Sequence, residues 1–212
     1  KDMKKLIPIL LAVFALASCE KDPDMGKLDD NYLVYTNYDK QANFKDFSTF
    51  YLADKILIIS DSKDPEYLEG EGAEQILAAY AENMEARGYQ PAPDQESADL
   101  GIQVSYIAST YYFTSYSQPE WWWGYPGYWG PSYWGNWGGW YYPYAVTYSY
   151  STNSFLTEIV NLKAEQGTNK KLPILWSSYL TGFETGSKVI NRALAVQAVN
   201  QSFAQSPYLT NK

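Results

Sequence analysis

The clearest pattern along the chain is an alternation. Leu100, Ile102, Val104 and Tyr106 are separated by Gly101, Gln103 and Ser105. A period of two sends successive side chains to opposite faces of a strand. Tyr144, Val146, Tyr148 and Tyr150 alternate in the same way with Ala145, Thr147, Ser149 and Ser151. The spacing predicts these two segments as the arms of one long hairpin. Leu33-Val34-Tyr35 and Thr49-Phe50-Tyr51-Leu52 are β-prone, and Ile56-Leu57-Ile58-Ile59 is a continuous apolar run of the kind buried on both faces. Residues 154–163 and 172–180 predict two further strands joined by the turn Gln166-Gly167-Thr168-Asn169.

The period changes in two places. Ala73, Ile76, Leu77, Tyr80 and Met84 lie on one face of a helix over 73–87, with Glu71 and Glu74 at its positive end and Gly88 as its natural terminator. A second helix is expected from about Ser187 to Ala204, with Val189, Ala193, Val196 and Phe203 on its apolar side and Pro207 stopping it. The expected order is β-β-β-α-β-β-β-β-α. That order predicts an α+β fold, a mostly antiparallel sheet with two helices packed on one face and a long hairpin carrying an aromatic-rich loop.

The first residues have a different character. Lys1-Asp2-Met3-Lys4-Lys5 precedes the apolar run Leu6–Ser18, which is short for a membrane span and is interrupted by Pro8. The run ends in Leu16-Ala17-Ser18-Cys19, which resembles the lipobox of bacterial lipoproteins. That resemblance implies cleavage before Cys19, a diacylglycerol on its sulfur and acylation of the new amino group. Several buried acyl chains anchor a protein where one alone is marginal. The organisation expected is a lipoprotein signal peptide at 1–18, a lipidated tether at 19–31 and a single α+β domain at 32–212. Glu20-Lys21-Asp22-Pro23-Asp24 resembles the surface-export signal of Bacteroidota lipoproteins, with Pro23 interrupting its acidic run. The expected location is the outer membrane, lipid-anchored, with the cell surface favoured over the periplasmic face.

Composition narrows the chemistry. Hydrophobic residues make up 46% of 212, enough for a globular core. Without Lys1, Lys4, Lys5 and Asp2, residues 19–212 carry 13 basic and 23 acidic side chains. Nucleic acid is therefore not an expected partner, because phosphate binding needs clustered Lys and Arg. There is no histidine, and Cys19 is the only cysteine. The commonest general base, the commonest transition-metal ligand and any internal thiol nucleophile are all missing. No metal or cofactor is expected.

The aromatics carry the character of the sequence. Residues 117–143 hold seven of the eight tryptophans, and Tyr-Trp-Gly occurs at 128–130 and again at 133–135. Gly and Pro are too frequent here for a regular element. As the tip of a hairpin, residues 119–142 would be removable with little loss of stability. Trp121, Trp122, Trp123, Tyr128, Trp129, Tyr133, Trp134, Trp137 and Trp140 are the candidate contact residues. Three readings stand. Such a loop is an adhesive surface for a glycan or an envelope protein, since Trp and Tyr dominate binding hot spots. It is a membrane contact, since both residues favour the bilayer interface. Or it is a low-complexity loop that folds onto its own domain or stays disordered.

Three stretches resemble the family called domain of unknown function 4136. They are Asn43-Phe44-Lys45-Asp46-Phe47-Ser48-Thr49-Phe50, then Arg87-Gly88-Tyr89 with Ala98-Asp99-Leu100-Gly101-Ile102-Gln103-Val104, and Lys171-Leu172-Pro173-Ile174-Leu175-Trp176. The resemblance spans most of 32–208 and departs from the family at the aromatic insert and at Pro173. It implies a fold and an envelope setting, and no reaction.

Other chemistry has weak support. Ser60-Asp61-Ser62-Lys63 has the spacing of some acyl-transfer enzymes, but a loop with Pro65 follows where a helix is needed. Asp61, Asp64, Glu66, Glu69, Glu71 and Glu74 lack the spacing of a calcium loop. The expected function is a non-enzymatic, lipid-anchored envelope protein that binds or assembles through its aromatic loop. The alternatives are a periplasm-facing accessory lipoprotein whose loop meets the membrane and, more weakly, a carboxylate-based hydrolase.

Overall fold

The structure, a computed structural model, describes residues 32–60, 62, 64–108, 137, 139–145, 152–165, 170–183 and 191–212. The elements are β1 (Leu33–Tyr38), a 3-10 turn (Phe44–Asp46), β2 (Thr49–Leu52), β3 (Ile56–Ile59), β4 (Glu66–Leu68), α1 (Glu71–Ala86), β5 (Gln90–Pro91), β6 (Leu100–Ile107), β7 (Trp140–Tyr141), β8 (Ser154–Asn161), β9 (Leu172–Thr181) and α2 (Arg192–Ala204). Among the described residues the fold is α+β, two helices on a mixed sheet of nine strands that does not close.

The main path of the sheet is β1-β9-β8-β6-β2-β5. Its long ladders are antiparallel: β1 with β9, β9 with β8 and β8 with β6. The short ladders are mostly parallel. β2 pairs β6 at Leu100–Ile102, and β3 pairs the same edge further on, at Ser105–Ile107. Leu52 stands opposite Ile102 and Leu57 opposite Ser105. Ala53, Asp54 and Lys55 therefore make a jog that lets two strands share one edge, and the Ala53 amide still bonds the Ile102 carbonyl at 3.1 Å. The sheet is mostly antiparallel, as expected; the alternation does not reveal these parallel pairs or the short strands β4 and β5.

The hairpin exists, but its second arm is different. β6 pairs over its full length with β8, from Leu100 opposite Asn161 to Ile107 opposite Ser154. Residues 100–107 therefore find their partner in β8 and not in the alternating segment at 144–150. Residues 146–151 lie outside the described residues, and Tyr144 packs against the sheet rather than extending it. The aromatic insert lies within the long connection between β6 and β8.

Both helices pack on one sheet face. Ala73, Ile76, Ala79, Tyr80 and Met84 of α1 meet Ala195, Ala198, Val199 and Phe203 of α2 over Leu100, Ile102, Val104, Phe155, Ile159 and Trp176. The buried stripe of α2 differs from the expected one, since Ala193 is exposed while Ala195, Ala198 and Val199 are buried. Val189 lies outside the described residues. α2 begins with Asn191, whose side chain accepts the Leu194 amide at 3.2 Å as an N-cap. α1 ends at Arg87, and Gly88 has φ +98°, a conformation that glycine adopts freely. In β9 a bulge at Leu175 breaks the register with β8. It sends both Leu175 and Trp176 to the helix side and leaves Ile174 on the other face.

Tyr80 and Trp176, both buried inside this layer, have polar partners. The Tyr80 hydroxyl accepts from Thr157 Oγ1 at 2.6 Å and lies 3.4 Å from Ser178 Oγ. Burial pushes its pKa up to about 12, against the two hydroxyl contacts. Trp176 donates its indole N–H to Ser206 at 2.9 Å, which ties the C-terminal tail to the sheet.

Asp99 holds the sheet edge together. Its carboxylate accepts the Ser48 amide at 2.6 Å and the Thr49 amide at 3.2 Å, and Lys163 lies 3.4 Å away. Burial acts to raise the carboxyl, but the two amides and Lys163 outweigh it and hold the group below its ordinary value. A depressed folded-state pKa adds stability at neutral pH that disappears as pH falls through that value. Asp99→Asn is expected to cost about 1–3 kcal/mol near pH 7, because the amides lose a charged acceptor. The difference in denaturation midpoint between the two proteins should shrink as pH is lowered from about 5 to about 2. A difference that stays constant over that range would contradict this role.

Candidate functional site

The second face of the sheet has a cover of its own. Leu57, Ile59, Ile107, Leu156, Val160, Leu172, Ile174 and Tyr179 form its apolar floor, and Trp140 and Tyr142 are buried against it. Trp137 and Tyr144 pack there partly buried. The cover is the end of the aromatic segment, residues 139–145, which we call the strap.

The strap runs along β9. The Leu172 amide donates to the Gly139 carbonyl at 2.8 Å, and Trp140 and Tyr141 pair in parallel with Leu172 and Pro173. Further on, the Tyr144 hydroxyl donates to Ser177 Oγ at 3.1 Å, and Asn37 Nδ2 donates to the Ala145 carbonyl at 2.8 Å. Between them the Tyr142 hydroxyl donates to Glu158 Oε1 in a short contact. The two phenol rings meet edge to face at 5.6 Å.

The floor beneath the strap is polar at its centre. Gln103 stands opposite Glu158, and Glu158 stands opposite Ser177, one residue from each of β6, β8 and β9. All three are buried, Glu158 to 1% exposure. Alternation places Ser105 on this face beside Gln103, and its Oγ is buried with no hydrogen-bond partner among the described residues. Gln103 donates to the Val104 carbonyl at 2.8 Å. A carboxylate buried at the middle of a sheet is costly unless its surroundings compensate.

The expected contact residues divide. Trp121, Trp122, Trp123, Tyr128, Trp129, Tyr133 and Trp134 lie outside the described residues, as does Cys19. Trp137 and Trp140 are described, and neither projects as a free tip. Trp140 is 1% exposed, so its ring is a core element and offers no surface for a partner. For residues 139–142 the hairpin-tip picture is corrected, while 119–136 lie outside the described residues. Ala108 follows Ile107 at the Thr181 end of the sheet, while the strap enters at Leu172, the opposite end of β9. The described end of the insert, residues 139–145, therefore runs from the Leu172 end of β9 along the second face toward Ser177.

Sequence reasoning overlooked Tyr142, Glu158, Gln103, Ser105 and Ser177. A signal was present. Glu158 interrupts the apolar run Phe155-Leu156-Thr157-Glu158-Ile159-Val160, and Gln103 and Ser105 sit on the face assigned to solvent. Of the other candidates, Ser60 donates to Glu66 Oε2 at 2.8 Å, while Asp61 and Lys63 lie outside the described residues. Among the described residues, no three carboxylates gather where they would hold a metal.

A mixed, open sheet with both helices on one face and an aromatic strap on the other defines an α+β domain with two layers of core. Residues 34–208 match the profile of DUF4136, "Domain of unknown function", and the chain belongs to that family. A crystal structure of a DUF4136 family protein from Bacteroides thetaiotaomicron VPI-5482 is 88% identical in sequence, with a TM-score of 0.78. That match covers 87% of this chain and all of the crystallised one. No curated protein matches the chain.

Trp140→Ala should destabilise the domain by about 3–5 kcal/mol, the usual loss for a large buried aromatic. Replacing residues 119–136 with a Gly/Ser linker of similar length should change the midpoint of thermal unfolding far less. Equal losses from the two changes would contradict the division between strap and loop.

Proposed function

We propose that this protein is a lipid-anchored envelope protein that works by binding or assembly, without catalysis, and that the aromatic residues between Trp121 and Trp134 supply its contact surface. The observation that carries the reading is the seating of the segment's end. Trp137 and Trp140 pack into the second face of the sheet, so the run of aromatics before them is attached to a rigid base. Binding surfaces gain affinity when their anchors are held in place. Five of the eight tryptophans lie in that run, far more than a solvated connection requires. The lipobox-like Leu16-Ala17-Ser18-Cys19 supports the anchor.

A second reading rests on a different observation. Leu33, Thr181, Ser154 and Ile107 form one row at an end of the sheet. Leu33 and Tyr35 are exposed there, at 58% and 45%. The chain reaches that row directly from the proposed tether, and the insert departs from it. This arrangement favours contact between that end and the membrane carrying the anchor.

In cells, Cys19→Ala should abolish incorporation of labelled palmitate and release the protein from the membrane fraction. Protease treatment of intact cells should cleave the surface-displayed protein. Complete protection in intact cells, with cleavage after lysis, would overturn surface display and favour the inward-facing reading. Retained palmitate in Cys19→Ala would overturn the anchor itself.

A further inference from the structure

The strap and the floor beneath it are mismatched in a way that packing alone does not account for. Antiparallel strands buried on both faces ordinarily present apolar side chains to each cover. Here the middle of the second face presents Gln103, Glu158 and Ser177 in one row across three strands, with Ser105 beside it. Ser105 Oγ is fully buried and makes no hydrogen bond among the described residues. A native structure tolerates few such groups, and each calls for an explanation. Apolar residues of similar size would hold the layer together at least as well.

The grip of the strap is uneven. Its first part is fixed by Trp140, buried to 1%, and by the Leu172 amide on Gly139. Its ladder with β9 covers only two residues, one of them opposite Pro173, which has no N–H to give. Beyond Trp140 the Tyr142 and Tyr144 rings rest on the apolar floor, and the hydrogen bonds there include Tyr142 on Glu158, Tyr144 on Ser177 and Asn37 on the Ala145 carbonyl. Polar grips are replaceable by other hydroxyl groups at small net cost, because one hydrogen bond is exchanged for another.

We propose that residues 142–145 are a displaceable cover, and that Gln103, Ser105, Glu158 and Ser177 form a binding slot for a neutral, hydroxyl-rich ligand of the saccharide class. The Tyr142 and Tyr144 hydroxyls occupy in this structure the positions that ligand hydroxyls take. One carboxylate, one amide and two hydroxyls make an acceptor-rich floor suited to sugar hydroxyls. The rings of Tyr142 and Tyr144 supply apolar faces at its rim, where the C–H face of a sugar ring packs. One carboxylate is too few for a divalent cation, which prefers several. The slot is separate from the contact surface proposed between Trp121 and Trp134, and it does not depend on it.

The test is a glycan array of bacterial and host saccharides probed with the protein from Cys19 onward. Four further proteins are compared: the Tyr142→Phe/Tyr144→Phe double variant, Ser105→Ala, Glu158→Gln, and the 119–136 linker replacement. The double variant loses the grips while keeping its rings, so it should bind the selected saccharide several-fold more tightly than the parent. Ser105→Ala should weaken that binding about 5- to 10-fold while its melting temperature holds or rises, a combination that a purely structural serine does not give. Glu158→Gln should weaken binding, and the linker replacement should leave it unchanged. Hydrogen exchange over 142–145 should speed up when the saccharide is added. Absence of any bound saccharide with the double variant overturns the proposal. So does binding that survives Ser105→Ala and Glu158→Gln but is lost with the linker replacement, which would assign the sugar to the aromatic loop instead.

Discussion

Burial of the central strands on both faces is the constraint from which the rest of this structure follows. β6, β8 and β9 are nearly continuous in burial. One face is closed by α1 and α2. Among the described residues no helix covers the other, so something else must keep water from Leu156, Val160, Ile174 and Tyr179. The chain meets that need with aromatics drawn from its long β6–β8 connection. Trp140 and Tyr142 do the work that a second pair of helices does in a doubly covered sheet.

This constraint explains why the aromatic segment has two characters. Its end is anchored by Trp140 and by the Leu172 amide on Gly139, and beyond them Tyr142 and Tyr144 meet Glu158 and Ser177 through their hydroxyls. The run before Trp137 is the part proposed as a contact surface. Composition alone gives both parts the same look, because a buried Trp and a contact Trp obey the same propensities. What marks residues 139–145 as a cover is their position along β9. The same constraint makes Glu158 notable. A carboxylate in the middle of the sheet, met by a tyrosine from the cover, couples the cover to the floor by chemistry rather than by packing alone.

Much of the fold was legible in local pattern. The alternation at 100–107, the apolar run 56–59, the helical face of Ala73, Ile76, Tyr80 and Met84, and the terminator Gly88 all reappear in the structure. Long-range pairing was not legible. Tyr144 to Tyr150 has as good a period of two as Ser154 to Asn161, and periodicity cannot choose the partner of β6. The choice is made by burial, since Phe155, Leu156, Ile159 and Val160 fill both faces while an alternating strand fills one. The stripe of α2 was misplaced for a related reason. Its buried side is built from small residues, Ala195, Ala198 and Ser202, that let the helix approach α1 closely and carry little hydrophobic signal. The candidate site was half legible: the aromatics announced themselves, whereas Gln103 and Ser105 were hidden on a face that alternation assigns to water.

The most direct measurement of this account is backbone hydrogen exchange across residues 139–145 in the unliganded protein. A strap that closes the second face should exchange at least about 100-fold more slowly than an unfolded chain, yet faster than β8, because a cover held by a short ladder opens before the sheet does. Exchange over 139–145 at the rate of an unfolded chain would contradict the account, since the second face of the sheet would then have no cover.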